Sequence, residues 1–577
     1  MTKKNKLSLL FTLLLSLSLF SCERDTDSEE YEEESETISE ETDNVESHES
    51  TEDYSWDSTT EISVVLNDNS IVSNADGIST NGSTLTIKAA GNYNISGSLS
   101  DGQIIVDTED EDIVRLILNG VDINCTYNSP IFIRSAEKTM IVLEKGMQNY
   151  LSDGNVYTYE EEDDDSNACI YSKDDMTIYG EGSLLVKGNF NDGITSKDGL
   201  IIDSELITIN AVDDGIRGKD YLIIKNGDFL ISCGGDGLKS DEEEDDAKGY
   251  ISITNGNFEI TSDGDAITAE TDVLISYAEM DLIAGGGSAS NTYSSTSTKG
   301  IKAGSQIIIE SGVFSISSAD DAIHSNGIIT LNDGVFEIAS GDDGIHADAD
   351  LDIIDSYINI SESYEGLESA EGNINIYDGD IFTISSDDGI NISAGGGSSG
   401  PGTKSTGTYA LNIYGGYIVV DSNGDGLDSN DAIVMSGGIV IVSSSATNEN
   451  SALDYDGSCI ISGGLLVGSG TSRMDEAPST ASTQYAAKIT FNSTQPAGQM
   501  VHIESADGDQ ILTIKPKKAF QSFVVSSPDL KNGVSYNIYL GGNSNGSKTN
   551  GLYTGGTYSD GSLYSSFTIS SKVSLID

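Results

Sequence analysis

The sequence is poor in basic residues. Lys and Arg number 28 against 95 Asp and Glu, so the formal net charge is −67. Proteins that bind nucleic acid neutralise phosphates with basic side chains, and this balance therefore argues against a nucleic-acid partner. The excess of carboxylates instead favours divalent cations, or ligands that are held through such cations.

Proline and long helical patterns are also scarce. Pro occurs only 6 times and Gly 63 times in 577 residues, while Ile, Val, Thr, Ser and Tyr are plentiful. Such usage is typical of many short strands joined by tight turns. The length allows two or three ordinary domains, or one elongated solenoid with a cap.

The cysteines lack the spacing of a metal site. No CxxC pair occurs, and beyond Cys22 the cysteines are far apart, at Cys125, Cys169, Cys233 and Cys459. In an exported protein some of them could pair, but small buried thiols account for them equally well. The sequence therefore predicts no particular disulfide.

An apolar run near the N-terminus indicates a targeting segment, a signal peptide over residues 1–21. Lysines precede the run 7–20, which is too short to span a bilayer comfortably. The run ends in Leu-Phe-Ser-Cys at 19–22, which resembles the lipobox of bacterial lipoproteins. That resemblance implies cleavage before Cys22 and acylation of its thiol. We therefore expect an exported protein, lipid-anchored to the bacterial membrane and exposed at the cell surface; an ordinary secretory peptide is the alternative.

Residues 22–55 are rich in Glu, Asp, Ser and Thr and show no apolar periodicity. Such a composition predicts a disordered, self-repelling tether, because the segment has too little apolar surface to bury. Ordered structure is expected to begin near Trp56, the sole tryptophan.

A repeat of about 22 residues decides the predicted fold. The phrase Asp-Gly-Ile, or a close variant, recurs with its glycine or alanine at Gly193, Gly215, Gly237, Ala266, Gly300, Ala322, Gly344, Gly366, Gly389, Gly426 and Ala452. The steps 193→215→237 and 300→322→344→366 are each 22 residues, and longer steps carry insertions at 241–247, 285–298 and 395–407.

Apolar residues recur at fixed offsets from each repeat position. Offsets of 7, 9, 14 and 16 residues give Leu200, Ile202, Ile207 and Ile209 in one repeat, and Ile329, Leu331, Phe336 and Ile338 in another. A spacing of two is that of a strand with one buried face. Stacked repeats bury continuous ladders that no single repeat could bury alone. The pattern predicts an all-β protein with a parallel β-helix over 56–484. Leucine-rich repeats, nonapeptide rolls and propeller blades differ from this repeat in their period or in their signature residues.

The 22-residue pattern stops at about residue 485. The strings at 488–491, 511–514, 523–525 and 536–540 are typical of antiparallel strands with long polar turns. We expect a β-rich cap over 485–577 that closes the open end of the solenoid.

One or two acids usually precede the repeat position. Equivalent positions on stacked coils lie about 4.8 Å apart, and two carboxylates at that distance repel by about 3 kcal/mol at an effective dielectric of about 20. Calcium takes several hard oxygen ligands. The sequence therefore predicts calcium between successive acidic turns, bound by Asp192, Asp213, Asp214, Asp236, Asp320, Asp321, Asp342, Asp343, Asp387 and Asp388. For any single Asp the alternative is ordinary Asp-Gly turn chemistry.

Side chains two residues after the repeat position are predicted to point outward beside these turns. The column holds basic residues from a chain that has few, and two of its four histidines. We expect it to bind a ligand through Arg217, Lys239, Lys302, His324, His346, Glu368 and Asn391. A merely solvated face is the alternative, and a zinc site at the two histidines would lack a third imidazole or a thiol.

Several strings resemble the carbohydrate-binding β-helix domain of certain bacterial secreted proteins. They are Asp-Asp-Ala-Ile-His at 320–324, Gly-Asp-Asp-Gly-Ile-His-Ala-Asp at 341–348, Ser-Tyr-Glu-Gly-Leu-Glu-Ser at 363–369 and Ser-Asp-Asp-Gly-Ile-Asn at 386–391. The resemblance covers about 56–577. It implies a right-handed helix related in architecture to pectate lyases, bound calcium, and a glycan of the cellulose or polygalacturonate type. Two coils depart from the motif. Tyr364 and Glu365 replace paired aspartates in one coil, which weakens the case for a metal there, and Lys299 replaces Asp in the other, which is expected to lack a metal altogether.

Three functions fit these observations. The first, which we expect, is a monomeric, non-catalytic protein that binds an acidic or plant-type polysaccharide through calcium. The second is a calcium-dependent polysaccharide lyase in which Arg217, Lys239 or Lys302 acts as base. The third is an adhesin or structural stalk. A lyase would release unsaturated, ultraviolet-absorbing products, whereas a binding protein would not.

Overall fold

The computed structural model describes residues 48–577 except 74, 160–164, 291–295, 394–408 and 446–449. The chain divides into two units, Met1–Glu46 and Ser47–Asp577, and every described residue belongs to the second. The predicted signal peptide, the lipidation of Cys22 and most of the predicted tether lie outside the described residues. Within the described ranges, no helix is long and apolar enough to cross a membrane.

The described chain is built from β-strands, as the sequence predicts. Its one helical element in the described ranges is a turn of 3-10 helix, Ser58–Thr60. Of the sheets in that part of the chain, two are large, with 27 and 16 strands, and we call them the main sheet and the narrow sheet. The main sheet comprises Ile62–Asp68, Ser70–Val72, Gly91–Leu99, Val114–Cys125, Thr139–Leu143, Gln148–Asp153, Met176–Gly188, Gly199–Ala211, Tyr221–Cys233, Tyr250–Ile253, Asn257–Ser262, Asp272–Ile275, Ala278–Ala284, Gln306–Ile309, Gly312–Ser318, Ile328–Ser340, Leu351–Glu362, Ile374–Ser385, Ala410–Ile413, Tyr417–Ser422, Ala432–Met435, Ile439–Ser443, Ser458–Ile461, Leu465–Gly470, Ala486–Gln495, Phe520–Ser526 and Val573–Ile576.

The narrow sheet is made of short strands that alternate with those of the main sheet along the chain. It comprises Ile78–Asn81, Thr84–Ile87, Gln103–Asp107, Ile131–Ser135, Ala168–Ser172, Asp192–Ser196, Ile216–Gly218, Leu238–Ser240, Ile267–Ala269, Ile301–Ala303, Ile323–Ser325, Ile345–Ala347, Leu367–Ser369, Ile390–Ile392, Leu427–Ser429 and Leu453–Tyr455. From Gln103–Asp107 onward each of these strands pairs in parallel with its equivalent one coil further on. The chain therefore passes repeatedly through the same two sheets in stacked coils.

The coils stack in the register that the apolar offsets predict. Leu200 pairs with Leu222 and Phe336 pairs with Ile358, and each of these side chains is almost completely buried. The rings of Phe314 and Phe336 stack with centroids 4.8 Å apart. A continuous apolar core runs between the two large sheets, because each coil places its inward residues directly over those of the last.

The long main-sheet strand Tyr221–Cys233 contains a glycine with a backbone conformation that other residues rarely adopt. Gly227 has φ +148°, and a Cβ there would lie 2.8 Å from the carbonyl oxygen of Ser204 on the preceding coil. Glycine is therefore required at this position, since a side chain would strain the backbone and collide with the neighbouring coil.

The insertions leave the narrow sheet in register. Lys239 pairs with Thr268 across the insertion at 241–247, and Thr268 pairs with Lys302 across the insertion at 285–298. In the sequence, both insertions fall between strands, one after Leu238–Ser240 and the other before Ile301–Ala303.

The C-terminal region forms a β-rich cap. Its separate antiparallel sheet contains Val501–Ser505, Gln510–Ile514, Ser535–Leu540, Ser547–Thr549, Leu552–Thr554 and Ser562–Thr568, and a two-stranded ribbon joins Asn543–Ser544 to Tyr558–Ser559. Phe520–Ser526 pairs antiparallel with Leu465–Gly470, the last main-sheet strand of the coils. That pairing covers the sheet edge at this end, which would otherwise expose unpaired backbone groups.

Residues 48–55, the end of the predicted tether, pack against the coils. The His48 ring stacks on Tyr221 with centroids 3.9 Å apart, and Tyr54 contacts the Tyr179 ring edge-on at 4.8 Å. Glu49 forms an ion pair with Lys225 at 2.7 Å. Specific aromatic and ionic contacts thus hold this part of the acidic segment, which composition alone does not indicate.

Elsewhere in the described chain, Cys125, Cys169, Cys233 and Cys459 are free and buried.

Candidate functional site

The narrow sheet places the predicted outward column in one continuous row. Strand pairing aligns, in order, Thr195, Arg217, Lys239, Thr268, Lys302, His324, His346, Glu368, Asn391, Asp428 and Asp454, which we call the outward row. The neighbours of each row residue point inward; Ile216 and Gly218, for example, are buried on either side of the half-buried Arg217. The structure therefore brings all seven predicted ligand-binding residues onto one face.

A second line of residues, immediately before the repeat positions, runs beside the outward row. We call it the turn ladder, and it comprises Asp192, Asp214, Asp236, Asp265, Lys299, Asp321, Asp343, Glu365, Asp388 and Asp425. The backbone N–H of Asp236 donates to Asp214 Oδ1 at 2.9 Å, and that of Asp343 donates to Asp321 Oδ1 at 3.0 Å. These carboxylates satisfy buried N–H groups one coil further on, so they hold adjacent coils together.

The other oxygen of these carboxylates faces the outward row. Lys239 Nζ lies 3.1 Å from Asp214 Oδ2 and 2.8 Å from Asp236 Oδ2. Thr195 Oγ1 donates to Asp192 Oδ2 at 2.8 Å. Although burial alone would lower it, the charges of Asp214 and Asp236 hold the pKa of Lys239 above its ordinary value. In this part of the face the predicted metal ligands are already paired with protein donors.

In three of the four paired turns the first acid is more accessible than the second. Asp213, Asp320 and Asp387 are half-buried and Asp342 is exposed, whereas Asp214, Asp321 and Asp343 are buried. Carboxylate oxygens of Asp320, Asp321 and Asp342 lie within 4.8 Å of one another. This is the arrangement expected of a cation site between successive acidic turns.

Lys299 reaches into that carboxylate group. Its Nζ lies 2.9 Å from Asp320 Oδ2 and 2.8 Å from Asp321 Oδ2. Burial favours the protonated acid, but the hydrogen bond from His324 and the charge of Lys299 hold the pKa of Asp321 well below its usual range. An ammonium group thus supplies the positive charge that the carboxylates need.

The two histidines lie on adjacent coils with ring centroids 4.8 Å apart. His324 Nδ1 is 2.8 Å from Asp321 Oδ2, and His346 Nδ1 is 3.2 Å from Asp343 Oδ2 and 3.1 Å from Glu368 Oε2. Burial lowers the pKa of His346, but the hydrogen bond to Asp343 and the charge of Glu368 outweigh it and raise the pKa to about 9. His346 also forms two groups with ligand atoms within 4.8 Å of one another, one with Asp321 and His324 and one with Asp343 and Glu368, and a metal ion at either would have to displace the proton of His346.

Beyond His346 the face changes from mixed charge to carboxylates. Among the described residues, no later position of the outward row or the turn ladder carries a basic side chain. Burial and the charge of Glu368 raise the pKa of Glu365 to about 9. Burial and neighbouring carboxylates also raise the pKa of Asp388 to about 6, Asp425 to about 7 and Asp428 to about 8. We call this region, from Glu365 to Asp454, the acidic end.

Asn391 lies within the acidic end and is only 7% exposed. Its Nδ2 donates to Glu365 Oε2 at 2.8 Å, while its Oδ1 is buried without a hydrogen-bond partner in the described part of the chain. In the narrow sheet it pairs with Glu368 on one side and Asp428 on the other. A buried carbonyl oxygen without a donor is costly, and here it stands in a row of carboxylates with no basic side chain beside them in the row.

Sequence reasoning placed these side chains but missed several of their roles. The sequence predicts only that the coil of Lys299 lacks a metal, and it does not single out Asp425 or Asp428. The row position of Asp428 and the acid before Gly426 were visible in the repeat. What the sequence does not show is which carboxylates already have a cation beside them.

Comparison with known proteins supports the predicted resemblance over part of the chain. Residues 81–344 match the model of a family described as carbohydrate-binding domain-containing protein. A curated protein of that description from Acetivibrio thermocellus is 44% identical over 146 residues, which cover 25% of this chain and 51% of the relative. The chain thus spans about half the length of the curated relative that it matches. A solved polysaccharide lyase-like protein from C. thermocellum, studied as a gadolinium derivative, is 32% identical with a TM-score of 0.38, over 47% of this chain and 96% of that one.

Proposed function

We propose that this protein binds an acidic polysaccharide without cleaving it, along the outward row of a right-handed parallel β-helix, with calcium assisting at the acidic end. The observation that carries the proposal is the family match over residues 81–344, a range that contains the outward row from Thr195 to His324. The parallel stacking of coils supports the helix, and its right hand is part of the proposal.

The cationic part of the outward row gives the polysaccharide a place to lie. From Arg217 to His346 this part of the row makes five register steps, a length of about 24 Å at about 4.8 Å per step. Arg217, Lys239 and Lys302 are half-buried side chains with part of their surface open to solvent. An extended chain of sugars that carry carboxylates matches both this linear form and these charges.

Calcium is proposed at the acidic end, because the carboxylates there have no basic side chain beside them in the outward row or the turn ladder. Asp388, Asp425 and Asp428 have raised pKa values, whereas Asp214 and Asp321 are paired with lysine. The unpartnered Oδ1 of Asn391 offers a neutral oxygen ligand in the same row of the described chain. Bound calcium would relieve the repulsion and keep the carboxylates ionised, and its free positions could accept oxygens of the polysaccharide.

The pairing of two of the three candidate bases, Arg217 and Lys239, speaks against their use as the base of a lyase. A general base has to be neutral near the working pH. Arg217 Nη2 lies 2.8 Å from Asp241 Oδ2, and Lys239 has a pKa above its ordinary value despite burial, because Asp214 and Asp236 face it. Both side chains are therefore protonated and suited to binding carboxylates.

The proposal also includes export of the protein to the cell surface. The lipobox-like string that ends at Cys22 supports a lipid anchor at the bacterial cell surface, and a monomer is expected. A protein held there would meet soluble and cell-wall polysaccharides directly.

The test is retention of the purified full chain on immobilised polygalacturonate and on cellulose, in calcium and then in chelator. We expect calcium-dependent retention on polygalacturonate, and no rise in ultraviolet absorbance from unsaturated products. An Asp428→Asn variant should need more calcium for retention than the wild type, whereas Asp281→Asn, at an exposed main-sheet position, should behave like the wild type. Failure to bind either polysaccharide in calcium would refute the proposed function.

A further inference from the structure

A groove separates the outer face of the main sheet from the cap. It has a volume of about 650 Å³, and its walls include Tyr357, Phe382 and Val419 from the coils and Lys515, Lys517 and Lys548 from the cap. Sites for small ligands have volumes of roughly 300–1,000 Å³. The groove lies outside the matched range 81–344 and on a different sheet from the outward row.

Aromatic side chains from successive coils form one wall. Tyr357 is 37% exposed, and its ring centroid lies 5.7 Å from that of Phe382. The Phe382 centroid in turn lies 6.2 Å from that of Tyr417. Tyr357 and the half-buried Phe382 line the groove, and their tilted rings offer apolar surface that can pack against the C–H faces of sugar rings.

The opposite wall carries positive charge. Among the described lining residues, three are lysines and one, Asp421, is an acid. Asp421 is already paired with Lys517 and with Lys518, whose Nζ lies 2.8 Å from Asp421 Oδ1. In the described part of the chain, no carboxylate forms an ion pair with Lys515 or Lys548, although the chain as a whole has a net charge of −67.

We propose that this groove is a second, calcium-independent binding site for an anionic oligosaccharide. Its sugar rings stack on Tyr357 and Phe382, and its carboxylates pair with Lys515 and Lys548. A neutral sugar would use the aromatic wall alone, so the lysines give the groove its preference for uronic acids. The site needs neither the outward row nor calcium, and it goes beyond the proposed function in both respects.

The test is calorimetric titration of the full chain with a short oligogalacturonate in the presence of chelator, with a cello-oligosaccharide as the neutral probe. We expect binding of the acidic probe that weakens as salt is added. Phe382→Ala should weaken it about tenfold. The double change Lys515→Gln and Lys548→Gln should weaken it about fivefold and remove the preference over the neutral probe.

Matched variants separate the groove from general effects. Tyr377→Ala removes an exposed ring that stacks on Tyr414 outside the groove, and it should leave binding unchanged. Lys145→Gln removes an exposed lysine that pairs with Glu181, and it should also have no effect. Circular dichroism confirms that each variant is folded.

The outcomes also separate this site from the proposed function. Loss of chelator-resistant binding in the groove variants, with calcium-dependent retention intact, supports a second site. Absence of binding in chelator overturns the groove and leaves the outward row untouched. A loss in Tyr377→Ala equal to that in Phe382→Ala also overturns it, because the effect would then belong to exposed rings in general.

Discussion

Replacing Asp428 with Asn should stabilise the calcium-free protein at alkaline pH. Burial, followed by the charges of Asp388, Asp454 and Asp425, raises the pKa of Asp428 from its ordinary 3.8 to about 8. The folded state therefore holds this proton more tightly than the unfolded state. The stability that protonation provides is complete below pH 3.8 and is lost as the pH rises to about 8. Asparagine has nearly the same shape and does not ionise, so the variant avoids that loss.

The magnitude follows from the size of the shift. A rise of about four pKa units corresponds to at most about 5 kcal/mol of unfolding free energy, at about 1.36 kcal/mol per unit. Partial solvent access and local rearrangement reduce this value. We expect Asp428→Asn to raise the free energy of unfolding by about 2 kcal/mol at pH 8, and to change it little at pH 4.

The assay is urea unfolding of the full chain followed by circular dichroism in chelator, at both pH values. Asp281→Asn is the control, because Asp281 is exposed on the main sheet. Adding calcium at about one hundred times its dissociation constant should stabilise the wild type at pH 8 by about 2.7 kcal/mol, and the variant by less. An equal change in stability at pH 4 and pH 8 would refute the reasoning, since it would assign Asp428 a role that does not depend on its charge.

Two further substitutions test the structure of the same face. Lys299→Gln removes the ammonium group between Asp320 and Asp321. It should therefore lower the free energy of unfolding in chelator by about 3 kcal/mol and make that coil more responsive to calcium. The control, Lys145→Gln at an exposed ion pair, should leave stability unchanged. Calcium titration of both variants, monitored by melting temperature, checks this, and an unchanged calcium response in Lys299→Gln would contradict it. Gly215→Ala should lower the free energy of unfolding, measured in urea, by about 2 kcal/mol, because the new Cβ would lie 2.6 Å from both Gly237 O and Ile231 Cγ2. Wild-type stability in this variant would contradict the close packing of the coils.

The stacking of the coils could be predicted from the sequence because it depends on local periodicity. A spacing of two residues identifies the buried side of a strand, and the recurring Gly or Ala fixes which residues of successive coils meet. Leu200 with Leu222 and His324 with His346 are pairs of this kind, and both are in register as predicted. The outward row follows from the same two facts.

The partners of the charged side chains could not be predicted in the same way. The repeat shows that Asp321 and Asp428 lie in neighbouring lines, but not that Lys299 neutralises the first while the second has no basic neighbour in the described row. The groove beside the cap escaped sequence analysis for another reason. Lys515 and Phe382 are far apart in the chain, and no periodic pattern relates the cap to the coils.

The insertions at 241–247 and 285–298 show that the chain can change in length without a change in the register of the outward row. Because Lys239, Thr268 and Lys302 keep their register across them, residues can be added between strands without a change in the pairing of the row. The stacking of the coils sets the spacing of the charges along the row. Variation in the length of the inserted segments could therefore alter the proposed polysaccharide specificity while the register of the coils stays the same.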